Sequence, residues 1–193
     1  MRKLKLQVQI TIDGFIAGSN GEMDWMKFLW TEDLIQYVTE LTNTMDCIVL
    51  GRKLAEGFIP HWAAVASNEN DPEHAAGILF TDTNKIVFTK TLEQSNSIVM
   101  GWNNTVVNAG NLVDEINTLK NKTGKDIIAY GGAQFVSSLI KENLIDELHL
   151  FINPAIIGKG MTIFHAITEK RSYEVVNAQS FDCDIVVLTY KPL

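Results

Sequence analysis

Residues 3–10 read Lys, Leu, Lys, Leu, Gln, Val, Gln, Ile. This period of two puts the aliphatic side chains on one face of a β-strand over 4–12 and the polar ones on the other. Later segments read differently. Residues 47–51 (CIVLG), 85–89 (KIVFT) and 126–130 (DIIAY) are almost uninterrupted apolar runs, the pattern of strands covered on both faces. Short strands are expected at 98–102 (IVMGW) and 105–107 (TVV), a further one at 146–152 (DELHLFI), and a closing hairpin from 172–181 and 183–191.

Between the strands the period changes to that of a helix. Residues 31–43 start on Thr31 as N-cap with acids in the first turn. Residues 112–121 align Leu112, Ile116 and Leu119, and 133–142 align Phe135, Val136, Leu139 and Ile140. The stretch 66–77 (ASNENDPEHAAG) is polar and reads as an exposed loop or short helix. Apolar strands alternating with helices predict a single α/β domain over 1–193. Its sheet is mostly parallel, with helices on both faces and antiparallel strands at one edge.

Composition narrows the function. With 193 residues, 46% of them hydrophobic, the chain has enough apolar surface for a full core. A formal net charge of −7 without a block of like charges argues against nucleic acid as a partner. Nothing approaches the length of a membrane span, and the basic N-terminus alternates where a signal peptide would be continuously apolar. Cys47 and Cys183 stand far apart without metal spacing, so buried free thiols of a cytoplasmic protein are expected. His61, His74, His149 and His165 show no ligand spacing either, and no metal site is expected. His149 alternates with Glu147 along its strand and is expected to be exposed.

In a sheet of this kind ligands bind at the carboxyl ends of the strands. Polar or glycine-rich segments stand at three such ends: Gly51-Arg52-Lys53, Thr89-Lys90-Thr91 and Gly131-Gly132. Two cations, or hydroxyls beside an ammonium, suit a phosphate. Adjacent glycines entering a helix leave N–H groups open to an anion, or else serve close packing of strand and helix. The GxGxxG fingerprint is absent. Asp13 ends the first strand beside Gly14 and is the candidate acid for a substrate contact. Trp25, Phe28, Trp30, Phe58 and Trp62 are candidates to stack on a flat ring or to fill the core. The GKG at 158–160 reads as a shaping element of an irregular segment.

The segments ITIDGFIAGSNGEMDWM, IVLGRKLAEGF, KIVFTKTL and IIAYGGAQFVSSLIKENLIDELHLFINPAIIGKGMTIF, in that order, resemble the dihydrofolate reductase-like superfamily. Within it they resemble most the reductase domain of the riboflavin-biosynthesis deaminase–reductase and its stand-alone relatives. The resemblance implies a three-layer fold, NADPH as cofactor, a homodimer, and hydride transfer to a small nitrogen heterocycle of pterin or aminopyrimidine type. Carried over by position, Gly51, Arg52 and Lys53 would hold cofactor phosphates, and Thr89 and Lys90 the adenosine 2′-phosphate. Tyr130, Gly131, Gly132, Ala133 and Gln134 would cradle the pyrophosphate, and the backbone at Ile16 and Ala17 would meet the nicotinamide. Asp13, as the catalytic contact, would face the substrate with Trp25, Phe28 and Phe58. The chain departs from the family at Leu54, where a threonine is usual. It also departs at Ile35, near which dihydrofolate reductases carry a carboxylate, and in offering only Lys27 as a substrate-side cation. These departures weigh against folate and against a ribose-phosphate substrate. They leave open a nucleotide-binding or regulatory module without turnover.

Overall fold

The computed structural model of the chain describes residues 1–93 and 96–193, without the side chains of residues 97 and 98. The strands are β1 (Leu4–Thr11), β2 (Met45–Gly51), β3 (Asn84–Phe88), β4 (Thr105–Asn108), β5 (Asp126–Tyr130), β6 (Glu147–Asn153), β7 (Tyr173–Ser180) and β8 (Val186–Pro192). The helices are α1 (Glu32–Asn43), α2 (Arg52–Ala66), α3 (His74–Asp82), α4 (Ser97–Met100), α5 (Leu112–Asn121) and α6 (Ala133–Lys141). All strands join one 8-stranded sheet of order β4-β3-β2-β5-β1-β6-β8-β7. The pairs from β4 to β6 are parallel, and β8 adds antiparallel to β6, with β7 as the other arm of the hairpin. The expected α/β architecture is the observed one.

Alternation along each strand sorts the core into two layers. Leu4, Leu6, Val8 and Ile10 of β1, Cys47 and Val49 of β2, and Ile127 and Ala129 of β5 pack under Ile116 and Leu119 of α5 and Val136, Leu139 and Ile140 of α6. On the other face Ile48, Leu50, Val87, Ile128, Phe151 and Val187 pack under Leu34 and Leu41 of α1, Ala55 and Ile59 of α2, and Phe80 of α3. Each such aliphatic side chain contributes about 1.5–3 kcal/mol on burial, so the stripe of α6 alone anchors that helix. Both cysteines are free and buried, and burial pushes the Cys47 thiol up to about 11.

Two expectations are corrected, and a long helix is found where none was assigned. Residues 98–102 do not form a strand: Ser97–Met100 is a helical turn, with Met100 N–H bonding Asn96 C=O at 3.0 Å and Trp102 N–H bonding Val99 C=O at 3.0 Å. Val99 and Trp102, three apart, are both buried, and a short apolar run fits a buried turn as well as a strand. Residues 52–66 form a 15-residue helix that runs through Pro60. Burial of Ala55, Ile59 and Val65 on one face outweighs the local preferences of Gly57 and Pro60. His149 is buried, at 6% exposure. Pairing of β6 with β1 and β8 makes it an interior strand, and Tyr37 of α1 covers it, with the phenol oxygen 3.0 Å from His149 Nδ1.

Candidate functional site

Strands β3, β2 and β5 are neighbours in the sheet, so their carboxyl ends lie side by side. Gly51 pairs with Phe88, and Val49 with Ala129 two residues before Gly131. Thr89, Gly51 and Gly131 therefore share one edge, spread over two strand spacings, about 10 Å.

Two helices start at this edge. Gly51 is the N-cap of α2 and Gly132 that of α6. Neither start has a side-chain cap, and neither first turn carries an acid. α5 shows the contrast, because the Asn111 side chain accepts from the Val113 and Asp114 N–H groups and acids follow. Uncapped N–H groups with the positive end of the helix dipole attract an anion. The glycines do separate jobs. A Cβ on Gly51 would stand 2.7 Å from the Phe135 Cβ, so close packing of α6 on β2 requires glycine there. Gly132 has φ +87°, which disfavours any side chain. At Gly131 a Cβ would meet nothing nearer than Leu54 Cδ2 at 3.9 Å. Packing does not call for glycine at that position, and the space above its backbone is open to a ligand. Leu54 stands beside both glycines, its Cβ 3.8 Å from the Cβ position of Gly132.

The cations at the edge differ in how firmly they are held. Arg52 donates to Glu56 at 2.8 Å, an exposed i,i+4 pair worth about 0.3–0.5 kcal/mol and readily exchanged for a ligand. Lys53 is exposed. Lys90 Nζ donates to the carbonyls of Ala109 at 2.6 Å and Gly110 at 3.1 Å, which fixes the ammonium between the ends of β3 and β4. The Thr89 hydroxyl accepts from the N–H groups of Thr91 and Leu92.

On the far side of β5, the loop leaving β1 is tied down by Asp13. Its carboxylate accepts from the Thr11 hydroxyl at 2.6 Å, from Gly158 N–H at 2.7 Å and from Ile157 N–H at 3.2 Å. The Thr11 hydroxyl first, then those N–H groups, hold Asp13 below the usual carboxylate range. Asp13 is thus an ionised clamp between two loops. The 158–161 segment closes on the same loop: Ile16 N–H bonds Met161 C=O and Met161 N–H bonds Ala17 C=O, both at 2.8 Å. A Cβ on Gly160 would meet the Ala17 carbonyl oxygen at 2.2 Å, so the GKG motif shapes this contact as expected. The bridge orders Ile16 and Ala17 and uses the Ile16 N–H and the Ala17 carbonyl.

The loop 12–31 then crosses the ends of β1 and β6. Lys27 N–H donates to Asn153 Oδ1 at 2.9 Å, and its ammonium reaches Asp184 at 2.6 Å on the tip of the β7–β8 hairpin. Asp33, at the start of α1, accepts from the Thr31 hydroxyl and from Asp182 N–H, and the same bonds keep it ionised. These contacts tie the hairpin tip to the loop 12–31 and to the start of α1. Phe58 stacks on Tyr130 with centroids 5.4 Å apart and meets Trp62 and Phe80 edge-on. Phe28 is 70% exposed and Trp25 half-buried. Phe58 and Tyr130 are thus brought together on the α2 face, while Phe28 stays at the surface.

The sequence profile of the RibD C-terminal domain matches residues 2–187. The chain belongs to the RibD C-terminal domain family. The uncharacterized protein YyaP of Bacillus subtilis (strain 168) is 30% identical over 191 residues, covering 98% of this chain and 94% of that protein. The riboflavin biosynthesis protein RibD of Corynebacterium ammoniagenes is 23% identical over 160 residues, 82% of this chain but 45% of that protein. Among solved structures, a putative riboflavin biosynthesis protein from Shewanella superposes with a TM-score of 0.74 at 20% identity, covering 100% and 99% of the two chains. A deaminase/reductase from Thermotoga maritima gives 0.69 at 17% identity, with all of this chain on 57% of that one. The fold of this RibD-type domain is that of the riboflavin reductase-like proteins, the one expected from the sequence. Among the described residues no helix is long and apolar enough to cross a membrane, and no His/Cys/Asp/Glu cluster suits a metal ion.

Sequence reasoning missed a polar ladder on this RibD-type site. On the α1 face of β1, Lys5 bonds Thr44 and pairs with Asp126, Gln9 accepts from Asn153 at 2.7 Å, and Thr11 holds Asp13. The signal was the N-terminal alternation itself. Two open clefts of ≈ 400 and ≈ 620 Å³ lie at the opposite ends of the strands, around Arg2, Gly124, Lys85 and Trp102.

Proposed function

We propose that this chain is an NADPH-dependent reductase that transfers a hydride to a small nitrogen heterocycle of pterin or aminopyrimidine type. The observation that carries the reading is the pair of uncapped, glycine-led helix starts on adjacent strands, with open space over Gly131. That cradle suits a pyrophosphate, with the N–H groups of Ala133 and Gln134 from α6 and of Arg52 and Lys53 from α2 directed at it. Arg52, Lys53, Thr89 and Lys90 favour a cofactor with an added phosphate. The cofactor, when bound, supplies the hydride and its electron pair. The chain supplies alignment and exclusion of water, through the loop 12–31 and the clamp that Asp13 sets on residues 157–158. Asp13 is held ionised, so the proton that accompanies the hydride is left to solvent water.

A second reading, a nucleotide-binding module without turnover, is favoured by the commitment of Asp13 to the loop and by Ile35, which is 50% exposed near the expected carboxylate position. Titration of the tryptophan fluorescence with NADPH and NADH tests the cofactor. Ionic contacts to the extra phosphate should favour NADPH by about two decades, and replacing Arg52 and Lys90 by alanine should erase the difference. Equal binding of both cofactors by the unmodified chain overturns it. NADPH oxidation in the presence of pterin and aminopyrimidine candidates separates the two readings: tight NADPH binding with no oxidation by any candidate favours the module.

A further inference from the structure

The loop 12–31 carries the single Asn-Gly pair of the chain, Asn20-Gly21. Both residues are exposed, as are all of residues 19–24. Gly21 has φ +93°, and a Cβ built on it would meet nothing within 4 Å. The glycine stands clear of the rest of the fold, with no side chain of its own to crowd its nitrogen.

A tight turn presents the pair. Gly18 N–H bonds Glu22 C=O at 2.8 Å, and Gly21 N–H bonds Gly18 C=O at 3.1 Å. The Glu22 carboxylate folds back over this turn. Its Oε1 accepts from Asn20 Nδ2 at 2.7 Å, and its Oε2 from the Asn20 backbone N–H at 2.9 Å. The Asn20 side chain is the main cause that holds Glu22 below the usual carboxylate range, so the group facing the amide is ionised at neutral pH.

An asparagine followed by glycine can close on its own backbone. The Gly21 nitrogen, on giving up its proton, attacks Asn20 Cγ. A new N–Cγ bond closes a succinimide ring, the Cγ–Nδ2 bond breaks, and the nitrogen leaves as ammonia with the proton. Water then adds to one of the two ring carbonyls. Addition at Cγ leaves aspartate, and addition at the main-chain carbonyl leaves isoaspartate, with the chain running through Cγ. The net change exchanges amide and water for a carboxyl group and ammonia, without oxidation or reduction. Every other asparagine of the chain is followed by a residue with a Cβ, which crowds the attacking nitrogen.

The turn restrains this chemistry without blocking it. Attack requires the Gly21 N–H to leave Gly18 C=O and the Asn20 amide to turn away from Glu22. Both bonds lie at the surface, where water takes over either partner at small net cost. The product has no way back into the turn. A carboxylate at position 20 cannot donate to Glu22 and faces it as a like charge. The strain falls beside Ala17, whose carbonyl accepts from Met161 N–H.

We infer that Asn20 is a site of self-modification, converting to aspartate and isoaspartate through a succinimide with Gly21. Glu22 is the brake on the step, and the product unlatches the turn 18–22. The inference goes beyond the reductase reading and does not depend on it.

The test incubates the full folded chain at body temperature, in neutral and in mildly alkaline buffer, below the melting transition of each variant. Peptide mass mapping follows every asparagine through the mass gained as O replaces NH. Isoaspartyl methyltransferase reports the isoaspartate. Asn20 should convert ahead of all other asparagines, and faster in the alkaline buffer, because the attacking nitrogen must lose its proton. Glu22→Ala should speed conversion by up to about tenfold, the share of one hydrogen bond. Glu22→Gln, which keeps an acceptor, should stay near the parent. Asn20→Gln, whose longer side chain closes a larger ring, should show no conversion at that position. Asn20→Asp should raise amide exchange at Gly18 and Gly21 while β1 and β6 stay protected. The inference is overturned if the folded parent gains no mass at Asn20, if another asparagine converts first, or if Glu22→Ala converts no faster. Unchanged exchange in Asn20→Asp overturns the unlatching.

Discussion

Gly51 and Phe135 are in packing contact across β2 and α6: a side-chain carbon on Gly51 would sit 2.7 Å from the Phe135 Cβ. Eighty residues further along, Gly131 occupies the next strand end with no such neighbour. The two glycines of this edge therefore differ: packing requires the one at 51 and does not require the one at 131.

This difference is measurable. Gly51→Ala forces α6 away from the sheet and should cost about 1–3 kcal/mol. Gly131→Ala finds room and has no positive φ to strain it, so its melting temperature should stay level or rise slightly. NADPH affinity should fall in Gly131→Ala even though the fold is intact. Paired thermal melts and fluorescence titrations of the two variants check this. A Gly131→Ala chain that binds NADPH as the parent does removes the ligand from that position.

Leu54 lies beside the glycine pair, at the position where the family resemblance implies a threonine. Leu54→Thr restores a hydroxyl at the start of α2 and should tighten NADPH by up to about tenfold, one net hydrogen bond of roughly 0.5–1.5 kcal/mol. Loss of affinity on titration would mean that the leucine methyl groups contact the cofactor themselves.

Asp13 is a clamp whose charge matters. Its folded pKa is lowered by the Thr11 hydroxyl and the Gly158 and Ile157 N–H groups. The contribution is therefore present above the unfolded carboxylate value and is lost as pH falls through the lower folded one. Asp13→Ala should free the segment around residues 157–158 at neutral pH. Amide exchange at Ile157 and Gly158 should rise well above that of the parent while β1 and β6 stay protected. Unchanged exchange at both would show that the Ala17–Met161 bridge suffices.

His149 is buried and its pKa is lowered by desolvation, partly opposed by Glu147. A lowered folded pKa means that stability is complete above the ordinary histidine value and declines as pH falls below it. The parent should lose melting temperature between about pH 7 and pH 5, where an unperturbed histidine titrates. His149→Gln, which keeps a bond to Tyr37 within reach, should show a flatter profile over the same range.

Much of this molecule was legible before folding. The alternation of β1, the apolar runs of β2, β3 and β5, and the helical spacing of α5 and α6 all survive, because each pattern reports local geometry and the side it buries. The three strand ends were legible too, since a parallel sheet brings carboxyl ends to one edge. The turn at 97–100 and the helix through Pro60 were not. In both, burial of spaced apolar residues (Val99 and Trp102; Ala55 and Ile59) overrides local preference, and a burial partner distant in sequence leaves no mark in the segment itself. His149 failed for the same reason: its cover, Tyr37, lies 112 residues away in the chain.

By itself, then, the sequence determined the α/β class, the two-faced central strand and the residues at the carboxyl-end edge of the sheet, because periodicity and composition carry that information locally. Only the tertiary structure decided what each residue does there. It packed Gly51 against Phe135 and left Gly131 without such a neighbour, tied the Asp13 carboxylate to Gly158 and Ile157, and buried His149 under Tyr37. Those assignments depend on which distant atoms come within contact or hydrogen-bond range, and the chain meets them only once the sheet is assembled.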